Sequence, residues 1–481
     1  MKKNKVLIAT KWSMISEVIA KVISPITTMI LARLLSTEVF GIVASITAIT
    51  SLADLLTDAG FNAYIVQHQF KSEIEKKNTF NVCFWSNFII SSVLFWVIVI
   101  NRNTFSALVG AQGFEKALIV ASLVLPLTSI SSIEQAIMKK ELRFKEVGLI
   151  KVISKIVPLV STIPLALSGM EYWSLIIGTL IGELVNVILC LKIGSFLPSF
   201  YYSFAYLKKI SSFSLWAFME SILEWLIANI AILFLGSLYG IYYLGVFKTG
   251  INIISQITTS VYALYSNVYK SAIAKEQSNA QSFKQIFYTF QRYTSIISIP
   301  LGVGVFLYRN LVTDILLGSK WYESITLIGL WGLTAMISIA FGNFYSDAIR
   351  AKGYPQKLVF IDLIYLATII LILMNTENMN FQEFCIYFSL AKIIQPVLQI
   401  FWGQKICNIR FLSVLSNCYP QLIATGVMAT IVIIFNFTKY DNLIQIVTVF
   451  ISIIVYFIIL VCIHPERKLL IKYFQELMHR G

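Results

Sequence analysis

The residues of this chain that could do chemistry are charged side chains inside long apolar stretches. An ionised group near the middle of a membrane span costs about 2.5–3.5 kcal/mol, so it normally faces a partner or a water-filled space. Several of these charges are spaced four residues apart, which puts both members of a pair on one face of a helix. The pairs are Glu17/Lys21, Asp54/Asp58, Lys151/Lys155 and Glu220/Glu224, and further single lysines are Lys248 and Lys392. These polar stripes predict a shared aqueous interior.

Two of the pairs consist of carboxylates only. Like charges this close tend to share a proton or bind a cation. The alternative is that each carboxylate pairs with a lysine of a neighbouring helix, since structural ion pairs also occur at such positions. The residues predicted to line this aqueous interior as ion-coupling sites are Glu17, Asp54, Asp58, Glu220 and Glu224. The carboxylates predicted to be structural are Glu134, Glu183, Asp347 and Asp362.

The elements that must position these charges are membrane-spanning helices. Of the 481 residues, 57% are hydrophobic and 13% charged, and the mean hydropathy is +0.78, which excludes a soluble or a disordered chain. Apolar runs of about 20 residues, each enough to cross roughly 30 Å of hydrocarbon, recur along the whole length. We therefore predict an all-α polytopic membrane protein. The fourteen expected spans lie at about residues 11–34, 40–66, 79–100, 117–138, 147–167, 171–191, 210–235, 240–269, 285–308, 325–349, 358–374, 381–403, 417–437 and 442–463.

The distribution of lysine and arginine indicates the orientation. The net charge is +14, and the basic residues concentrate in the loops on one side of the predicted membrane. Because lysine and arginine accumulate on the cytoplasmic side, both termini are predicted to be cytoplasmic. The tail after Pro465 carries apolar and basic residues at helical spacing. We expect it to lie flat on the inner leaflet.

An internal repeat predicts two lobes. Leu34 and Gly41 recur at an offset of 204 as Leu238 and Gly245. Each copy would hold six helices, an even number, so the copies have the same orientation and are related by a pseudo-twofold axis along the membrane normal. The predicted domains are an amino-terminal lobe at 1–200, a carboxy-terminal lobe at 201–404, two extra helices at 405–463 and an interfacial amphipathic helix at 464–481. The predicted hinges, where bending would help a lobe close, are Pro25, Pro300, Gly302 and Gly304.

Four segments of the first 90 residues carry a family resemblance. They are Lys11-Trp-Ser, the stretch from Ile30 to Ala44, Asp58-Ala-Gly-Phe61 and the stretch from Asn78 to Trp85. The chain resembles polysaccharide exporters of the Wzx type, in the colanic-acid and teichuronic-acid branch, although Thr37-Glu38 replaces the Pro-Glu or Pro-Asp common in that family. The resemblance implies the fold of the MATE-like multidrug/oligosaccharidyl-lipid/polysaccharide superfamily. The two extra helices resemble those of the lipid II flippase.

The same resemblance implies a substrate and a location. The substrate would be an undecaprenyl-diphosphate-linked oligosaccharide, flipped to the outer leaflet of the bacterial cytoplasmic membrane by alternating access. A diphosphate needs cations, and the candidates, in order of preference, are Lys21, Lys248, Lys155, Lys392 and Lys151. Lys21 could instead neutralise Glu17, and Lys151 could snorkel to the inner surface. Expected partners are membrane lipids, H⁺ or Na⁺, and the polymerase and glycosyltransferases of the same pathway, without nucleic acid, cofactor or metal.

Two other functions are alternatives to this one. A membrane-embedded glycan polymerase or ligase needs a substantial outward-facing domain, whereas the longest predicted outward loops here are only about 16 residues, at 101–116 and 309–324. A drug or cation antiporter with the same fold predicts an aromatic, acidic pocket in place of a cationic one. The sequence also shows no metal-ligand spacing and no ATPase motif. It therefore favours a transporter over an enzyme.

Overall fold

A computed structural model describes residues 19–58, 60–436 and 442–463, and within these residues the chain is helical, without a β-strand. It divides into two compact units, of which the first holds residues 1–249 and 373–377. The helices of this first unit are α1 (19–34), α2 (Thr37–Asp58), α3 (Phe61–Gln67), α4 (Glu73–Ile100), α5 (Arg102–Leu108), α6 (Glu115–Ser122), α7 (Val124–Lys140), α8 (Phe144–Leu167), α9 (Glu171–Ile193), α10 (Phe204–Leu238) and the start of α11 (Ile241–Lys275).

The second unit holds residues 250–372 and 378–481. Its helices are the rest of α11, α12 (Ala280–Leu307), α13 (Arg309–Leu316), α14 (Ile325–Ile337), α15 (Asn343–Ala351), α16 (Pro355–Met374), α17 (Phe381–Ala391), α18 (Ile394–Cys407), α19 (Phe411–Asn417), α20 (Tyr419–Asn436) and α21 (Asn442–Ile463). A single π-helical turn, Ser338–Gly342, joins α14 to α15.

The prediction of an all-α membrane protein is confirmed. The described residues contain ten helices that are long and apolar enough to cross a membrane, or up to twelve if each of two bent helix pairs is one span. The exact number of fourteen stays a prediction. The start of the first expected span, Glu17 and the expected amphipathic helix at 464–481 lie outside the described residues.

Two predicted spans are interrupted in the structure. The span expected at 40–66 ends at Asp58 and resumes as α3 after Gly60, whose φ of 80° is one that glycine adopts without strain. The span expected at 381–403 breaks between Ala391 and Ile394, ahead of Pro396. At Gly60 the regular hydrogen-bond ladder ends inside an apolar run, so polar groups must satisfy the exposed backbone. At Ala391–Ile394 the backbone N–H groups of the turn bond to nearby carbonyls, and Phe381–Cys407 remains one candidate span.

Glycines permit the closest helix crossings of the first unit. A Cβ atom on Gly245 of α11 would collide with the carbonyl oxygen of Thr37, and one on Gly41 of α2 would collide with that of Ile241. The two glycines that the repeat aligns therefore meet at one crossing. On α9, Gly178 packs against Thr162 of α8 in the same way, as small residues do between membrane helices.

Candidate functional site

The first unit contains a polar cavity of 380 Å³ at the carboxyl end of α2. Asp54 and Asp58, one turn apart on α2, both line it. Helices α3, α4, α7 and α10 complete the wall with Asn62, Asn87, Thr128, Ser132 and Ser221. The structure thus brings one predicted carboxylate pair together with hydroxyl and amide side chains that the sequence analysis had not selected.

The break after α2 positions Asp58. Because α2 ends there and Gly60 turns the chain, the first backbone N–H groups of α3 lack partners within the helix. Asp58 Oδ1 accepts one of them, the N–H of Asn62, at 3.1 Å. A carboxylate is a favourable acceptor at the amino terminus of a helix, so the local fold holds the Asp58 side chain at the cavity wall.

Asp54 is held from the opposite side. The hydroxyl of Thr128 on α7 donates to Asp54 Oδ1 at 2.7 Å. Asp54 also lines a second cavity of 240 Å³, which is mostly aliphatic and is walled by α2, α6, α7 and α9. The carboxylate therefore lies where a polar and an apolar cavity meet.

Two amide oxygens of the polar cavity receive no hydrogen bond from any residue that the structure describes. The Asn87 side chain, only 1% exposed, donates from Nδ2 to Ser132 Oγ at 3.1 Å, while its Oδ1 has no hydrogen-bond partner. Asn62 Oδ1 is likewise unpartnered. Buried oxygens of this kind normally receive a hydrogen bond or bind a cation or a water molecule.

The expected neutralisation of the Asp54/Asp58 pair by lysines is not seen in the described part of the chain. Among those residues, no lysine or arginine nitrogen lies within 4.0 Å of either carboxylate. Lys139, exposed on the last turn of α7, acts on Asp58 only through space. The cavity therefore carries negative charge that these residues do not cancel at contact distance.

The other predicted carboxylate pair lies on α10. Glu220 is half-buried and Glu224 exposed, and both have partners. Between them, Ser221 lines the polar cavity, and one turn further on the Trp225 indole donates to Ser51 Oγ at 3.0 Å. Glu220 thus lies next to the cavity wall without lining it, and its coupling role stays a prediction.

The carboxylates predicted to be structural have protein donors. Glu134 accepts the backbone N–H groups of Ser195 at 2.9 Å and Phe196 at 3.3 Å. Glu183 accepts from Ser131 at 2.9 Å and from Asn186 at 2.8 Å. In the second unit, Tyr262 donates to Asp347 at 3.1 Å, Lys270 lies 3.7 Å from Asp347, and Gln395 donates to Asp362 at 2.8 Å. These contacts fit a structural role.

The predicted lysines occupy different surroundings, and none of them lines the 380 Å³ cavity. Lys248 is half-buried near the start of α11 and has neither a hydrogen bond nor an ion pair with any described residue. Lys21 and Lys151 are half-buried and have partners. Lys155 is exposed. It lies on a different side of α8 from four exposed aliphatic residues, which are Leu149, Ile153, Ile156 and Val160.

Lys392, in the second unit, is held by aromatic rings. Its ammonium group lies 4.8 Å from the ring centre of Trp331 and 5.7 Å from that of Tyr365. Such cation–π contacts stabilise a buried ammonium group. Lys392 also follows the last residue of α17, at the break before α18. The contacts give it a local structural role, and diphosphate binding stays a prediction.

The predicted hinge positions lie inside continuous helices. Pro25 is within α1, and Pro300 lies in α12, which continues unbroken to Leu307. A Cβ atom on Gly302 would approach the Met336 side chain, so Gly302 allows close packing of α12 on α14. Gly304 has open space around it. Their hinge role remains a prediction.

Comparison with solved structures shows the fold. The chain is similar to the lipid II flippase MurJ in an inward closed conformation, with a TM-score of 0.72 and 14% identity over 93% of this chain and 97% of that one. It is also similar to an inward-facing multidrug resistance MATE family transporter of the MOP superfamily, with a TM-score of 0.61 and 15% identity over 82% and 98% of the chains. The expected MATE-like fold is confirmed.

The chain is also similar to curated proteins whose names refer to the biosynthesis or transport of polysaccharides. The lipopolysaccharide biosynthesis protein WzxC of Escherichia coli K12 is 23% identical over 357 residues, which cover 73% of this chain and 71% of WzxC. The succinoglycan biosynthesis transport protein ExoT of Rhizobium meliloti 1021 is 22% identical over 348 residues, 72% of this chain and 69% of ExoT. A family model described as polysaccharide biosynthesis protein matches residues 30–326, more than half of the chain. This multi-pass membrane protein therefore belongs to the polysaccharide biosynthesis protein family.

Proposed function

We propose that this protein flips an undecaprenyl-diphosphate-linked oligosaccharide from the inner to the outer leaflet of the bacterial cytoplasmic membrane. The observation that carries the proposal is the family match over residues 30–326 on a fold similar to that of a lipid II flippase. The names of WzxC and ExoT, one a biosynthesis and the other a transport protein for surface polysaccharides, point to the same class of substrate.

The chemistry of such a substrate defines what the protein must supply. The prenyl chain can stay in the bilayer, whereas the diphosphate and the hydrated sugars must pass the hydrocarbon region in a polar environment. A half-buried cation that no carboxylate already holds is available for charge-assisted hydrogen bonds to phosphate oxygens. Of the predicted lysines in the first unit, Lys248 best meets this description among the described residues. We therefore assign it the first diphosphate contact, and Lys21 the next.

The energy source belongs to the same proposal. Net movement of a lipid-linked sugar to one leaflet needs a driving force, and the chain carries no ATPase motif. We propose coupling to an ion gradient or to the membrane potential, with Asp54 and Asp58 as the first candidate residues. A cytoplasmic location of both termini, and cooperation with the polymerase and glycosyltransferases of the pathway, are part of the proposal.

One alternative has a specific observation in its favour. A MATE-type cation or drug antiporter shares the fold, and the carboxylate-lined cavity of the first unit suits a cationic substrate better than an anionic one. The two functions differ in what accumulates when the protein is missing. An antiporter changes the cellular content of a cationic compound and leaves the lipid-linked oligosaccharides unchanged.

Gene deletion followed by analysis of the lipid fraction tests the proposal. A flippase predicts complete repeat units, still attached to the lipid diphosphate, trapped in the inner leaflet. A membrane polymerase instead predicts single units that reach the outside. Normal levels of lipid-linked oligosaccharide in the deletion strain, with normal surface polymer, would contradict the proposed function.

Complementation with variants then tests the site. Lys248→Ala should leave the trapped intermediate in place although the protein reaches the membrane, and Lys248→Arg should restore part of the export because it keeps the charge. Lys275→Ala is a matched control, since Lys275 is an exposed lysine on the last turn of the same helix. Full export by Lys248→Ala would remove Lys248 from the site.

A further inference from the structure

We infer that the 380 Å³ cavity of the first unit is an alkali-cation site, in which Asp54, Asp58 and Asn87 supply the oxygen ligands. All three side chains line this cavity. The carboxylates provide the charge, and Asn87 provides a neutral carbonyl oxygen from a side chain that is 1% exposed. The inference rests on the two carboxylates together with the buried amide oxygen of Asn87, and not on the acidic pair alone.

The carboxylate oxygens of Asp54 and Asp58 can accept further hydrogen bonds or bind a cation. Asp54 accepts a hydrogen bond from Thr128, and Asp58 accepts from Asn62. An ionised carboxylate has about four acceptor positions. No lysine or arginine nitrogen of the described chain lies within 4.0 Å of them. A bound cation would both neutralise the pair and fill these positions.

Asn87 points to the same ligand independently. Its amide nitrogen is committed to Ser132, which fixes the side chain, and its oxygen is left without a donor. A buried acceptor without a partner is unfavourable, so native proteins rarely keep one unless a ligand or water satisfies it. Asn62 Oδ1, also at the cavity wall, is a second unpartnered oxygen.

The ligand types select the class of cation. Carboxylate and amide oxygens are hard donors, which suit alkali and alkaline-earth ions and not zinc or copper. The described residues contain no group of three or more His, Cys, Asp or Glu side chains that could hold a metal ion. Two ionised carboxylates carry one more negative charge than a monovalent cation neutralises. A second ion or a proton can neutralise the remaining charge. We therefore assign the site to Na⁺, or to K⁺ as the larger ion of the same class.

The binding itself is independent of the function proposed above, whereas a role in driving transport rests on it. The location supports such a role, because Asp54 and Asp58 lie on the last two turns of α2, just before the break that precedes α3, and Asn87 belongs to α4. A cation held there ties α2 to α4. Its release would loosen this connection and so could be coupled to a conformational change.

Cation-dependent thermal unfolding of the purified full-length protein tests the binding. The melting temperature, followed by tryptophan fluorescence in detergent, is compared in NaCl, KCl, MgCl₂ and choline chloride at one ionic strength. A ligand that binds only the folded state raises the melting temperature with its concentration. We expect a rise with NaCl or KCl that choline chloride does not produce. Equal curves in all salts, or a response to MgCl₂ alone, would overturn the inference.

Isosteric variants locate the ion. Asp54→Asn and Asn87→Leu should each weaken the apparent affinity by about tenfold or more, in the range found when groups around a bound ion are removed. Asn101→Leu is the matched control, because Asn101 is an exposed amide at the end of the same helix α4. Asn87→Asp should instead bind the cation more tightly, because it adds a third carboxylate. A cation response unchanged in Asp54→Asn and Asn87→Asp would overturn the assignment.

A second measurement reports cation binding without a substitution among the proposed ligands, so it does not depend on how well those variants fold. Trp225 donates to Ser51, which lines the same cavity, so cation binding should change the fluorescence of the otherwise wild-type protein, and Trp225→Phe should remove that change. A fluorescence response that persists in Trp225→Phe contradicts the location.

Export in cells separates the cation-binding proposal from the proposed flippase function. Cation binding together with normal lipid-linked oligosaccharide in the deletion strain would leave the site standing and reject the flippase function.

Discussion

Thr128 donates a hydrogen bond to Asp54 over 2.7 Å, and this contact joins α7 to α2 at the wall of the polar cavity. Among the side-chain hydrogen bonds described above, it is the shortest that joins two helices. Because Asp54 is half-buried, the loss of its donor leaves an acceptor that water reaches poorly.

Thr128→Val should therefore lower stability by about 1–3 kcal/mol, since valine keeps the shape and removes the hydroxyl. The melting temperature of the purified protein is the measurement. Thr430→Val is the matched control, because the Thr430 hydroxyl is exposed and bonds only to Val427 in its own helix. Equal melting temperatures for Thr128→Val and Thr430→Val would mean that the hydrogen bond contributes nothing to stability.

The crossing of α2 and α11 should be intolerant of even one methyl group. Gly245→Ala would place its Cβ against the backbone of Thr37 and Gly41, which no side-chain rotation can relieve. Overpacking of this kind costs about 1–3 kcal/mol. Because the aligned Gly41 meets α11 at the same place, Gly41→Ala should have a similar effect.

Gly426→Ala is the contrasting variant for this crossing. Gly426 lies in α20 with open space around it, and alanine in a helix is favoured over glycine by about 0.5–1 kcal/mol. We expect an unchanged or slightly higher melting temperature. If Gly245→Ala behaved as Gly426→Ala does, the two helices would not be in contact as described.

The membrane class, the helix positions and one half of the candidate site could be predicted from the sequence. Apolar runs and the i,i+4 spacing of Asp54 and Asp58 are local patterns, so a single sequence shows them directly. Asn87 could not be selected in this way, because a lone asparagine in an apolar run is as often a packing residue as a ligand. Its unpartnered oxygen becomes visible only when α4, α7 and α2 are placed together.

The breaks in the helices show the same limit. Gly60 and Pro396 were visible in the sequence, but glycine and proline also occur within intact membrane helices, as Pro300 and Gly302 do in α12. Whether the backbone breaks depends on whether a neighbouring group can satisfy the freed N–H. At Asp58 the chain supplies its own acceptor, which is why the span expected at 40–66 divides there.

Glu134 should stabilise the segment that follows α9. Its carboxylate accepts the N–H groups of Ser195 and Phe196, so Glu134→Ala would leave two backbone donors without a partner. We expect a loss of about 1–3 kcal/mol in all, because Ser195 is exposed and water can replace part of its hydrogen bond, whereas Phe196 is half-buried. Limited proteolysis near residue 195, together with the melting temperature, reports the loosened segment. Glu73→Ala is the control, since that side chain is 89% exposed, and matching results for the two variants would contradict the role of Glu134.

The orientation of the chain can be tested through Cys462. Five of the six cysteines are buried, and Cys462 is exposed near the end of α21. If the termini are cytoplasmic, a membrane-impermeant maleimide should label Cys462 in inside-out vesicles and leave it unlabelled in intact spheroplasts, and Cys462→Ser should abolish the labelling. Asn101→Cys in the Cys462→Ser background is the matched reporter for the other side, because residue 101 is exposed at the turn after α4. It should be labelled in spheroplasts. The opposite pattern for both positions would invert the predicted topology, and with it the side of the membrane on which the end of α2 lies.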